Sequence, residues 1–204
     1  MITIKDLTVK NFMSVGNVTQ AVRFTDNGLT LVLGNNVDLG GDGSRNGTGK
    51  TTIINALSYA IYGNALTNIR KDNLINKTNG KAMLVTLDFV KDGTQYRIER
   101  GRRPNTLKYY VNEQNVDEDE AQGENRQTQT QIEKLFGMSH DMFKHIVALN
   151  TYTEPFLSMR ANDQRAIIEQ LLGITMLSEK AEVLKEQQRL TRDAIKEEEY
   201  RINA

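Results

Sequence analysis

A short glycine-rich stretch holds the residues whose types and spacing could bind a highly charged ligand. Residues 46–52 read NGTGKTT, so two glycines precede a lysine and two threonines. Glycine lets backbone N–H groups approach an anion closely, a lysine supplies a cation for outer phosphates, and a threonine hydroxyl can ligate a magnesium ion. A nucleoside triphosphate needs all of these groups, so the stretch predicts binding of ATP and Mg²⁺.

Each residue of this stretch has an expected role. Lys50 is expected to stabilise charge on the β- and γ-phosphates and is the first candidate catalytic residue. Thr51 is the candidate magnesium ligand, and Thr52 adds a further phosphate contact. The predicted nucleotide contacts come from the whole run: Asn46, Gly47, Thr48, Gly49, Lys50, Thr51 and Thr52.

The approach to this loop departs from the usual pattern G-x-x-x-x-G-K-[ST]. Ser44 stands where the first glycine belongs, and a spare glycine, Gly34, directly follows the apolar run 29–33. In one interpretation Gly34 begins the loop and residues 37–46 are an insertion. In the other, Ser44 takes the first position after a lengthened connection. The sequence leaves both open.

The elements that must position the loop are predicted from periodicity. Alternating or continuous apolar runs predict strands at 2–12, 21–24 and 29–33, and the helical spacing of 51–63 predicts a helix after the loop. Asp92-Gly93 is typical of a hairpin turn, and Asn112-Glu113 marks a second strand pair.

The second half of the chain reads as helical. The polar, acidic stretch 117–130 predicts a solvated loop, and helices are expected at 131–137 and 141–150, with Ser139 as an N-cap. Asn162 is expected to cap a further helix that Gly173 ends. From residue 177 onward the chain is charged and helix-favouring, which suits either the start of a coiled coil or a solvated helix.

Composition excludes several classes of protein. The 26 basic and 26 acidic side chains balance, so no global charge favours nucleic acid or membrane. The absence of cysteine excludes disulfides and thiolate chemistry, and only two histidines argue against a zinc site. No apolar run is long enough to span a bilayer, which predicts a cytoplasmic protein.

Several stretches together resemble one known family. KNFMSVG, YRIERGRRPN, FGMSHDMFKHIVALNT and RAIIEQLLGITMLSE are similar, in that order, to the N-terminal half of the ABC-type ATPase head of the SMC/SbcC-like DNA repair family. The stretches most resemble the ATPase subunit of tailed-bacteriophage recombination endonucleases. The resemblance implies an α/β fold of the P-loop NTPase type: a mixed sheet, an antiparallel β-subdomain and the root of a coiled coil. It places the ATPase lobe at 1–176 and the coiled-coil helix at 177–204.

The resemblance adds site residues outside the loop. Asn11 and Ser14 are expected near the nucleotide. The family uses a glutamine to ligate Mg²⁺ and to orient the attacking water. Asn150 stands in the corresponding stretch, VALNTYTEPF, as a candidate metal ligand and catalytic residue, or alternatively as a helix C-cap.

The resemblance also implies partners. The family's Walker-B strand, signature motif and switch histidine belong to a C-terminal half that follows a long coiled coil, so this chain is expected to be an N-terminal fragment with weak or no ATP hydrolysis alone. The implied partners are that C-terminal half, a second head in a homodimer, an SbcD-type nuclease subunit and DNA, without a membrane. ATP-driven dimerisation would then control the nuclease.

Other interpretations remain open. A small P-loop kinase would carry its own acceptor pocket, and an SMC-like structural module would bind ATP without controlling a nuclease. The arginines of 97–103 could contact DNA phosphates or form a salt-bridged sheet edge. The insertion 37–46 could touch the opposing head or be a surface bulge.

Overall fold

The computed structural model describes residues 1–24, 28–37, 45, 47–116, 124–149 and 154–203. Its contacts divide the chain into two compact units, Met1–Thr153 and Glu154–Ala204, which are described separately. The predicted domain boundary at residue 176 stays a prediction.

The first unit is built on a six-stranded antiparallel sheet in the order β2-β1-β3-β4-β5-β6. Both predicted turns are confirmed, because Asp92-Gly93 and Asn112-Glu113 connect neighbouring strands with positive φ at all four residues. The strands are β1 Ile2–Lys10, β2 Gln20–Arg23, β3 Met83–Lys91, β4 Thr94–Arg102, β5 Thr106–Val111 and β6 Gln114–Asn115.

Helix α1, Lys50–Tyr62, supplies much of the core together with the sheet. Strand residues alternate in burial, so one set of side chains enters the core while the other stays more exposed. Gly63 ends the helix as predicted, at φ 67° with its N–H donating to the Tyr59 carbonyl. The largest fully buried apolar side chains are Phe12, Phe89, Leu7, Ile61, Leu74, Met83, Leu87, Ile98 and Ile132.

The segment 29–33, predicted as a covered strand, forms no strand. Leu29 is 98% and Leu31 80% exposed. Every strand pair in the described part of the chain is antiparallel, so the mixed sheet is absent there, although the α/β class is confirmed. The apolar run requires neighbouring strands on a sheet, and no described segment pairs with it.

The predicted loop 117–130 is wrong from residue 124 onward, because α2 spans Glu124–Phe136; residues 117–123 lie outside the described part. Thr128 and Ile132 are buried, although their neighbours in the sequence are polar. Contacts of α2 with α1 and β5 therefore override the polar composition that suggested a loop.

Ser139 caps the next helix as predicted, since its hydroxyl accepts a hydrogen bond from the Met142 N–H. Helix α3, His140–Met142, continues as a π-helical stretch, Phe143–Val147.

The second unit contains a 3-10 turn, Phe156–Ser158, and helices α4, Ala161–Leu171, and α5, Thr175–Asn203. Asn162 lies inside α4, so its prediction as the cap is wrong. Arg160 is the N-cap residue, and its side chain makes no capping hydrogen bond. Gly173 follows the helix with φ 67°, as expected. Among the described helices, none is both long and apolar enough to cross a membrane.

His140 joins α3 to α1 through a buried hydroxyl. Ser58 donates to the Asn64 carbonyl at 2.8 Å, so its oxygen accepts from His140 Nε2 at 3.0 Å. The imidazole also lies 5.1 Å from the Tyr62 ring, measured between centroids. Burial, followed by the charge of Lys144, holds the pKa of His140 below its usual value.

The burial of His140 predicts acid-sensitive stability. The lowered folded-state pKa favours neutral His140, so its stabilisation is complete above the unfolded pKa of 6.5 and is lost as pH falls below that value. Urea unfolding of His140→Gln should show a flatter pH dependence between pH about 5 and 7. His145→Gln is the matched control because the chain has two histidines; an equal flattening in that control would contradict the assignment.

Candidate nucleotide-binding site

Two glycines shape the loop that begins α1. Gly47 has φ 75° and Gly49 has φ 84°, the left-handed region that side chains disfavour. Gly49 is the N-cap residue of α1, and its carbonyl accepts the Thr52 N–H at 3.0 Å. The loop therefore turns directly into the first turn of the helix.

The start of α1 is electrostatically suited to an anion. Gly49 provides no side-chain cap, and the first turn contains no acidic residue. The N–H groups at a helix start lack intrahelical partners and carry the positive end of the helix dipole. A phosphate is a natural acceptor for them.

Lys50 is half-buried beside these groups. Its Nζ donates to the Arg45 carbonyl and lies 3.4 Å from Thr48 Oγ1. The ammonium group is thus folded over the same loop as the two glycines, where it can add charge to a phosphate site.

Ser14 connects the turn after β1 to this loop. Its Oγ lies 2.8 Å from Thr52 Oγ1, and a Cβ added to Gly49 would lie 2.9 Å from the same Ser14 oxygen. Gly49 is thus required by close packing as well as by its positive φ. Ser14 lies at the loop, and its position near a nucleotide stays a prediction.

Gly34 also packs against the loop. A Cβ at this position would overlap the side chain of Thr48, so the backbone after the apolar run approaches Thr48 closely. Gly34 and the Gly-Lys-Thr end of the motif are therefore neighbours, although 14 positions separate Gly34 from Thr48. Ser44 and most of 37–46 lie outside the described residues.

Asn11 holds the turn that carries Ser14. It is 1% exposed at φ 51°, and its amide donates to the Lys81 carbonyl at 3.0 Å and accepts from Asn79 at 2.8 Å. Asn76 extends the network, since its N–H donates to the Asn11 carbonyl and its amide to the Met13 carbonyl. Asn11 thus positions the turn, and its contact with a nucleotide stays a prediction.

Three asparagines that no sequence motif indicated also hold the site together. Asn76 and Asn79 fix the turn, and Asn55 crosslinks α1 by donating to the Thr51 carbonyl and accepting the Leu66 N–H, both at 3.0 Å. Asn55 is 2% exposed. The sequence could have indicated the role of Asn55, because an asparagine inside an apolar helix is unfavourable unless its amide is hydrogen-bonded.

Three predicted site residues remain to be placed. Thr51 is exposed at the start of α1, accessible to a ligand. Asn46 and Asn150 lie outside the described residues, so their roles stay predictions.

The arginine cluster is paired within the sheet and its surroundings. Arg97 Nε lies 2.6 Å from Asp88 and Arg102 Nε 2.7 Å from Asp72, while Arg103 donates to the Gly80 carbonyl. Hydrogen bonding to Arg102 lowers the pKa of Asp72. These contacts favour the salt-bridged sheet edge over a surface of free DNA-binding arginines.

Comparison with known proteins identifies the family of the chain. Residues 6–204 match the family model described as "AAA domain". The chain is 34% identical over 172 residues to exonuclease subunit 2 of Enterobacteria phage T4, covering 83% of this chain and 28% of that protein. It is 32% identical over 182 residues to exonuclease subunit 2 of Escherichia phage RB69, covering 88% and 30%. The chain spans less than a third of either relative.

A more distant relative and solved structures extend the comparison. The Rad50 ATPase of DNA double-strand break repair from Archaeoglobus fulgidus is 33% identical over 100 residues, which is 49% of this chain and 10% of that protein. An Smc head domain with an extended coiled coil, bound to the C-terminal domain of ScpA, from Pyrococcus furiosus gives a TM-score of 0.62 at 21% identity over 93% of this chain and 46% of that one.

A structure from a study of ATP-driven dimerisation and DNA-stimulated activation of SMC ATPases gives a TM-score of 0.55 at 20% identity, covering 82% of this chain and 98% of that one. Both structural likenesses show the fold. Taken with the family match and the phage relatives, they show that the chain belongs to the AAA-domain family as an N-terminal SMC/Rad50-like ATPase head.

Proposed function

We propose that this chain is the ATP-binding lobe of a DNA recombination or repair ATPase. The observation that carries the proposal is the single cluster formed by Gly34, the loop 47–49, Lys50 and Ser14 at the start of α1. A flexible chance glycine loop would not be packed from two sides by distant parts of the chain.

The residues present fit ATP and Mg²⁺. The N–H groups of Lys50 and Thr51 at the helix start and the Lys50 ammonium would hold phosphates, and Thr51 would ligate the metal together with phosphate oxygens. A bound magnesium ion would supply neutralisation of phosphate charge. Lys50 orients the outer phosphates and stabilises their negative charge. The Ser14 hydroxyl fixes Thr52 and with it the direction of the first helical turn.

Gly34 is the first glycine of the interrupted phosphate loop in this proposal. Its close approach to Thr48 supports the insertion interpretation, because a simple lengthened connection would not need Gly34 at the loop. Residues 37–46 are then an insertion between the two halves of one site. We propose that this insertion touches the opposing head.

A C-terminal half of the same head would complete the fold. The support is the exposed apolar run 29–33, which pairs with no described strand although its composition is that of a buried one. Strands of that half would add to this segment. The much greater length of the phage relatives is consistent with such a half.

The wider mechanism follows the SMC/SbcC-like family. ATP bound between two heads would hold them as a homodimer, and hydrolysis would reset it. The relatives named as exonuclease subunits support a nuclease partner of the SbcD type and DNA as the shared substrate.

Gly34→Ala should weaken ATP binding by about tenfold or more, because the added methyl group must displace Thr48 from a close-packed loop. Gly28→Ala is the matched control, since a Cβ there meets no atom within 4 Å. Affinity for a fluorescent ATP analogue measures both. Equal affinities for the two variants would contradict the role of Gly34.

Lys50→Ala tests the proposed function directly. Removing the ammonium should weaken ATP binding by about tenfold or more, whereas Lys108→Ala on β5 should leave it unchanged. Turnover by the unaltered chain alone should be weak and should rise when the C-terminal half is supplied. Lys50-dependent hydrolysis at full rate without that half would contradict the proposed division of the site.

A further inference from the structure

A second charged cleft lies at the opposite end of α1 from the phosphate loop. It has a volume of about 500 Å³ and is enclosed by the end of α1, the 3-10 turn Lys71–Leu74, the β4–β5 connection and α2. Four cations line it: Lys71, Arg100, Arg102 and Arg126. We call it the Lys71 cleft. Among the residues that the structure describes, no carboxylate lines it.

Two of the cations converge on one point beside Gly63. A Cβ added to Gly63 would lie 2.8 Å from Arg100 Nη1 and 3.7 Å from Lys71 Nζ. Arg100 is held in place through its other nitrogens, which donate to the Ala60 carbonyl and to Gln129 Oε1. Nη1 is left facing the cleft, without an acceptor among the described residues.

The charges of the cleft are not balanced locally. Asp72 binds Arg102, and Glu133 accepts a hydrogen bond from Gln129, but Lys71 and Arg126 have no described acidic partner. Burial, together with the charges of Arg100 and Arg102, lowers the pKa of Lys71. Like charges held together in this way attract an anion.

The cleft also holds a buried donor. Tyr59 is 3% exposed, lies with its ring 5.9 Å from the Arg100 guanidinium carbon, and has no hydrogen-bond partner for its hydroxyl among the described residues. Buried hydroxyls are nearly always bonded to something. Thr106 and Thr130 line the same cleft and add hydroxyl groups.

We propose that the Lys71 cleft binds a phosphate dianion, either free or as a terminal phosphomonoester, through Lys71, Arg100, Arg126 and the Tyr59 hydroxyl. Separate cationic and hydroxyl donors around one space match the several oxygens and double charge of such a group better than the two oxygens and single charge of a carboxylate. A phosphodiester carries one charge and fewer free oxygens, so it can accept hydrogen bonds from fewer of the donors in the cleft. The proposal is independent of ATP binding at residues 47–52.

Amide-resolved NMR of the whole chain tests this site, because it separates the two phosphate sites of the molecule. Inorganic phosphate, added at constant ionic strength with chloride as the reference, should shift the amides of Gly63 and Gly101. The double variant Lys71→Gln, Arg126→Gln should weaken this binding about tenfold. Lys77→Gln, an exposed lysine outside the cleft, is the control and should bind as the unaltered chain does.

Short oligonucleotides distinguish the source of the phosphate. A 5′-phosphorylated strand should bind more tightly than its 5′-hydroxyl counterpart, and the difference should vanish in the double variant. In the titration with inorganic phosphate, amide shifts confined to Gly47 and Gly49 would overturn the proposed cleft site. Equal binding of both strands, lost equally in the double variant, would assign the cleft to the nucleic-acid backbone and overturn the phosphomonoester.

Discussion

The hydrogen bond between the Ser14 and Thr52 hydroxyls is the constraint on which the candidate site depends. It joins the turn after β1 to the first turn of α1 at 2.8 Å, beside the left-handed Gly49. The asparagine network around Asn11 holds that turn from the other side. Contacts within the chain therefore fix the direction of the helix start relative to the sheet.

The first unit combines a well-packed core with an exposed apolar segment. The described sheet and α1 bury a continuous apolar core, whereas residues 28–37 leave several large apolar side chains exposed. Gly34 lies within that exposed segment and contacts the loop. In the proposed function, the segment 28–37 both completes the phosphate site and provides the apolar surface for the C-terminal half, so assembly of the head and completion of the site are coupled.

The fold was predictable from sequence where local chemistry decides it. Glycine and asparagine turns located both hairpins, and the helical spacing after Lys50 located α1. Prediction failed where distant contacts decide. Helix α2 forms because Thr128 and Ile132 are buried, and its polar composition did not indicate this. The apolar composition of 29–33 indicated that the run should be buried, but not which segment would cover it.

The candidate site was predictable to a similar extent. Residues 47–52 carry a motif with a known physical mechanism, so their spacing sufficed. The neighbourhood of Gly34 and Thr48 required the fold, because an interrupted motif does not reveal which glycine closes it. Asn11, Asn76 and Asn79 come from separate segments, and no local pattern indicates that their amides meet.

The central claim is that Gly34 and the loop 47–52 form one phosphate site. Hydrogen exchange of the backbone amides, with and without ATP and Mg²⁺, measures this most directly. The account predicts slower exchange in both 28–37 and 47–52 on addition of nucleotide, with β4 and β5 unchanged. Protection of 47–52 while 28–37 exchanges as before would contradict it.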